Sequence, residues 1–96
     1  MQNTIIEAIK EKRVLTVRYS AGERAVEPHT LGIGTTGNLL IRAHQRDGAS
    51  TSGTREGWKL FKVDELHAVE ITDEEFSTRD GYKRGDKAMQ SIIEEV

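Results

Sequence analysis

"VLTVRYSAGERAVEPHTLGIGTTGNLLIRAH", residues 14–44, is the stretch whose reading decides the fold. Val14–Tyr19 is dense in β-formers and halts at a turn around Gly22. Arg24 to Leu31 alternates, with Val26 and Pro28 on one face and Glu27 and His29 on the other. Pro28 has no N–H to give a ladder, so it marks an edge strand or a bend. "GIGTTGN" supplies Gly32, Gly34 and Gly37 for a hairpin turn. "LLIRAH" then puts Leu39, Ile41 and Ala43 on one face, and Leu40, Arg42 and His44 on the other.

Upstream, Ile5, Ile6 and Ile9 form one apolar helical face, and Thr4 and Glu7 stand at capping-box spacing before the charged run Lys10–Arg13. Downstream, residues 46–56 contain no aliphatic side chain larger than alanine. Trp58–Val63 and Leu66–Ile71 read as two more strands, with Asp64-Glu65 as their tight connection. Five short strands with closely spaced turns predict a mainly-β fold, a small five-stranded barrel. The polar, turn-rich stretch that follows has Phe76 and Tyr82 as anchors. Asp86 is placed to cap a last helix, Lys87–Val96, whose stripe is Ala88, Met89, Ile92, Ile93 and Val96. At about ten residues that helix is too short to stand alone and must dock. The expected organisation is a barrel domain over 1–76 and a polar turn segment with an amphipathic helix over 77–96.

Composition narrows the chemistry. The chain has 96 residues and no cysteine, which excludes disulfides, thiolate catalysis and thiolate-bound zinc. No stretch approaches the ~20 apolar residues of a membrane span, and nothing near the start resembles a signal peptide, so a soluble cytoplasmic protein with no membrane contact is expected. Charge is uneven: residues 1–62 carry ten Lys and Arg against six Asp and Glu, and residues 63–96 carry four against ten. A basic first part with an acidic remainder fits an anion-facing body, and it equally fits scattered solvated charge.

No metal-binding helix motif, phosphate-loop signature or nucleophile elbow is present. His29, His44 and His67 each stand alone, without the paired spacing of ligands. A small enzyme using His29 and Glu27 as acid and base is the weakest of the readings. The stronger constellation is polar and basic. Arg24, Glu27 and His29 share one strand, Arg42, His44 and Gln45 end another, Ser50, Thr51, Ser52, Gly53 and Thr54 follow, and then come Trp58 and Lys59. Arginine forks and hydroxyls suit phosphate, free N–H groups near glycine make an anion nest, and a tryptophan face stacks a base. The competing reading has Arg42 and Lys59 on a solvated face, Trp58 plugging the core and the loop as slack. Lys83 and Arg84, beside Tyr82 and between glycines in "GYKRGD", are a second candidate; a linker to the last helix is the alternative there.

The order of Tyr19, Gly22, "RAVEP" ending at Pro28, a glycine turn, "RAHQ" and "WKLFKVDEL" resembles the WYL-domain family, over about Ile5 to Phe76. "VEPHTLG", "AHQRDGASTSG", "GWKLF" and "GYKRGDKAM" narrow the likeness to small free-standing bacterial proteins of that kind. The Trp-Tyr-Leu tripeptide itself is replaced by Asn38-Leu39-Leu40, and the family's strand arginine by Lys59. The resemblance implies a helix followed by an Sm-like (Src-homology-3-like) barrel, and a sensor whose basic face takes nucleotide or nucleic-acid ligands. Carried onto this chain, it implies a non-catalytic regulatory module that uses no cofactor. Its ligand is a phosphate-bearing small molecule or a short single-stranded nucleic acid. Arg24 and Arg42 would pair with phosphate, His29 and Gln45 hydrogen-bond it, Ser50 and Ser52 close over it, and Trp58 and Lys59 flank it. The alternative is an interaction or oligomerisation module that pairs its last helix or a barrel edge with a partner or a second copy of the chain.

Overall fold

One long strand organises the sheet. The computed structural model describes residues 1–20, 22–48 and 56–96. In chain order the elements are helix α1 (Gln2–Glu11), β1 (Arg13–Tyr19), β2 (Gly22–Gly34), β3 (Leu39–Gly48), β4 (Gly57–Lys62), a 3-10 turn over Val63–Glu65, β5 (Ala68–Glu75) and β6 (Met89–Glu95). The sheet runs β4-β3-β2-β1-β5, every pairing is antiparallel, and β6 also pairs with β2. β3 lies along one side of β2. The other side is shared: Gly22–Val26 pair with β1, and Thr30–Gly34 pair with β6.

Pro28 falls between those two partners, with its register shift against β3 directly after it. A residue without an N–H costs least where a ladder is already interrupted, which is why proline is tolerated in a central strand here. The interruption is a register shift inside a central strand, so Pro28 does not mark an edge strand.

Two further expectations are corrected. The sheet is not closed into a barrel: β4 pairs only with β3, and β5 only with β1. Lys62 on β4, and Glu70, Asp73, Glu74 and Glu75 on β5, are exposed charges on these two outer strands, which do not pair with each other here. The last helix is also not formed, and Met89–Glu95 is a strand. A lone ten-residue helix is marginal in water, whereas the half of β2 beyond β1 offers an unfilled ladder. Gly32 lets β6 approach. A Cβ at Gly32 would stand 2.5 Å from the Ser91 carbonyl oxygen and 2.6 Å from Met89 Sδ. Ile93 and Val96, expected on the docking stripe of that helix, do pack against the core, but from a strand, and Met89 is buried.

Helix α1 buries Ile5, Ala8 and Ile9 against Leu15, Val17, Val26, Leu31, Ile41, Ala43 and Phe61. Thr4 lies inside the helix and Met1 is its N-cap, so the capping box is not made. The helix ends at Lys12, left-handed at φ 53°, whose N–H reaches the Ala8 and Ile9 carbonyls. Among the described residues no helix is long and apolar enough to cross a membrane.

Candidate functional site

Strand alternation separates the predicted residues into two groups. Arg24, Gln45 and Lys59 share the face of Val26, Ala43 and Phe61, at one end of the core. Arg42, His44, Arg46 and Trp58 lie on the opposite face of β3 and β4, with Glu27 beside them. Ser50 and Ser52 lie outside the described residues, as do Thr51, Gly53 and Thr54.

The second face is crossed by residues 77–88, a strap between β5 and β6 held mainly by polar contacts. Arg79 donates to Glu27 from Nε (2.6 Å) and Nη2 (3.1 Å). The Arg79 backbone N–H donates to His29 Nε2 at 3.1 Å. On the other side of that ring, Nδ1 lies 2.8 Å from the Glu27 carbonyl oxygen. A carbonyl only accepts and a backbone N–H only donates, so His29 is neutral and carries its proton on Nδ1. Burial holds its pKa below the ordinary histidine value, against the pull of the Glu27 carbonyl and carboxylate. His29 is fully buried with both nitrogens engaged, and it packs against Trp58, Phe76 and Tyr82. It pins the strap and has no nitrogen left for a phosphate. Glu27, gripped by Arg79 and with Arg46 Nε at 3.2 Å, is equally ill-placed to serve as a base.

His44 stands edge-on to Trp58, with ring centres 5.4 Å apart, and its Nδ1 is 3.9 Å from Glu27 Oε1. Its pKa is also depressed, by burial and then by the Arg79 charge. Among the described residues no group of three or more His, Asp or Glu is placed to hold a metal ion.

Farther along, the strap opens into a cleft of about 390 Å³ lined by Arg42, Trp58 and residues 81–87. Here the first and second sequence candidates converge. Trp58 and Tyr82 stand 6.4 Å apart with ring planes 28° off parallel. Gly81, at φ +90°, passes so close that a Cβ there would sit 3.2 Å from Trp58 Nε1. Tyr82 is fixed at its far end, donating its hydroxyl to the Val96 carbonyl at 3.1 Å, and burial raises its pKa. Four cations line the cleft, Arg42, Lys83, Arg84 and Lys87, against Asp86 as the only carboxylate of its lining. Arg42 donates to Asp86 from Nε (2.7 Å) and Nη2 (3.3 Å), which holds the Asp86 pKa below the usual carboxylate range. The predicted capping role of Asp86 survives in altered form: Oδ1 accepts from the Ala88 N–H at 2.9 Å and closes a turn into β6. Arg84 pairs with Glu95 at 3.0 Å and stays largely exposed.

Sequence reasoning missed Arg79. The signal was indirect: a glutamate on a strand flanked by buried positions requires a cation, but its partner lies fifty-two positions away. No family model matches this chain, and no solved structure matches it.

Proposed function

We propose that this protein is a non-catalytic binding module of the WYL kind for a phosphate-bearing ligand, a nucleotide or a short oligonucleotide, received in the cleft between Trp58 and residues 81–87. The WYL assignment rests on the order of motifs in the sequence, and a closed barrel is no part of it. One observation carries the ligand class: among the described residues, two aromatic rings and four cationic side chains line a cleft, and Lys83 and Lys87 exceed the two carboxylates, Asp86 on Arg42 and Glu95 on Arg84. The aromatic wall suits a base, because every base has a π-face, and the flexible Lys83, Arg84 and Lys87 suit phosphate oxygens. Arg42, already turned toward the cleft by Asp86, is a second-rank phosphate contact. His29 holds the wall in place.

Trp58 is the chain's only tryptophan, so its fluorescence reports the cleft directly. Titration with mononucleotides and short single strands should quench or shift that emission, and the double change Lys83→Ala, Arg84→Ala should weaken binding about ten-fold or more. Emission that no nucleotide or oligonucleotide moves would remove the proposal.

A further inference from the structure

Three arginines on this sheet and strap can be compared by what fills one edge of each guanidinium. Arg42 uses Nε and Nη2 to hold Asp86, and Arg79 uses the same two nitrogens to hold Glu27. Arg24 presents that same edge, Nε and Nη2, buried and with no hydrogen-bond partner among the described residues. The residue is only 4% exposed. Its guanidinium carbon stands 5.0 Å from the Tyr19 ring centre and 5.5 Å from that of Phe61. Those aromatic contacts offset part of the desolvation of the cation, but they leave the in-plane N–H groups unsatisfied. Glu65, the carboxylate hydrogen-bonded in this cluster among the described residues, is taken up by the Tyr19 hydroxyl, which also raises the pKa of that phenol.

A buried cation with a bare two-pronged donor edge is expensive unless an oxyanion fills it. We infer that Arg24 is a binding site for a small oxyanion, a carboxylate or phosphate group that bridges Nε and Nη2, separate from the Trp58 cleft. Strand alternation separates the two sites: Arg24 shares the core face with Val26, and Arg42 and Trp58 lie on the other face. The aromatic contacts fix the guanidinium plane, and that plane dictates a side-on, bidentate approach.

The test uses the full chain at constant ionic strength, with chloride exchanged for phosphate, sulfate or acetate. Thermal midpoints are read for wild type, Arg24→Met and the double variant Lys83→Ala, Arg84→Ala. A site at Arg24 gives a rise of about 5–10 °C at ten times the dissociation constant, growing with the logarithm of anion concentration beyond it, lost in Arg24→Met and kept in the double variant. In parallel, the Arg24 Nε–H resonance of wild-type protein should shift along a saturating curve with the same dissociation constant, a readout that needs no variant to fold. No midpoint rise and no shift with any of the three anions overturns the site. So does a rise that survives in Arg24→Met; if the double variant abolishes that rise, the anion belongs to the cleft and the Trp58 proposal stands without this one.

Discussion

Arg79 closes a two-pronged bridge onto Glu27 and, from its own backbone, caps the ring of His29. One residue of the strap therefore addresses two residues of β2 that flank Pro28. The side chains of Glu27 and His29 are both buried, so the strap is the only polar partner the sheet offers for the Nε2 side of His29 among the described residues. The conformation of the cleft wall depends on this latch, since Tyr82 follows three residues later and stands against the same imidazole.

Glu27→Ala should destabilise the protein by about 2–4 kcal/mol in urea unfolding. It removes charge-assisted hydrogen bonds, but Arg79 and Arg46 are exposed enough to rehydrate, so the loss falls short of that for stranding a wholly buried charge. Limited proteolysis between residues 77 and 82 should speed up in parallel. A loss below about 1 kcal/mol would show that the latch contributes no more than a surface pair.

Acid should loosen the same latch. The pKa of His29 is lowered in the folded protein, so below the ordinary value of 6.5 the unfolded chain binds the proton that the native one refuses. Stability is then full above that pH and falls as the pH drops toward the folded pKa, with a slope of at most about 1.4 kcal/mol per pH unit from this group. His44 adds in the same direction. Urea midpoints at pH 7.5, 6 and 5, compared with His29→Gln, read the effect. A wild-type stability that stays level over this range rules out the neutral-imidazole assignment.

Asp86→Asn should strengthen anion binding in the cleft about three- to five-fold. The carboxylate competes with any phosphate for Arg42, and an amide oxygen can still accept from the Ala88 N–H. Trp58 fluorescence titrations of the two proteins with one nucleotide decide it. Equal affinities would place the ligand away from Arg42.

Gly32→Ala tests the packing of the last strand. The added methyl meets a backbone carbonyl, which cannot swing aside as a side-chain end can, so β6 must shift at a cost of about 1–3 kcal/mol. Amide exchange should accelerate in residues 89–95 before it does in β1. Unchanged exchange there would mean that β6 tolerates a wider spacing than the structure shows.

Five strands were legible because each shows alternation or dense β-formers between turn residues, and the short helix because three isoleucines repeat at its period. The sixth strand was not. Met89, Ile92, Ile93 and Val96 fit a helical stripe, and only the bare edge of β2 at 30–34, far away in sequence, makes the extended form the better one. Pro28 was readable as an interruption, but not as one inside a central strand, because what surrounds it comes from both ends of the chain. At the site, Arg42 and Trp58 were readable, and so were Lys83 and Arg84 as a separate group. Their meeting was not, since it depends on a strap fastened by Arg79 and Asp86. His29 looked like a ligand-facing residue because alternation gives the face of a strand and says nothing of what lies over it.

The partner change along β2 also sets an order of events. The residues that complete its ladder, 89–95, follow the other described strands in sequence, so a nascent chain carries an open edge at Thr30–Gly34 until they have been made. During that interval the edge can accept any extended segment at hand, including the same strand of a neighbouring molecule. Crowded synthesis is thus a condition under which this edge is open to mispairing.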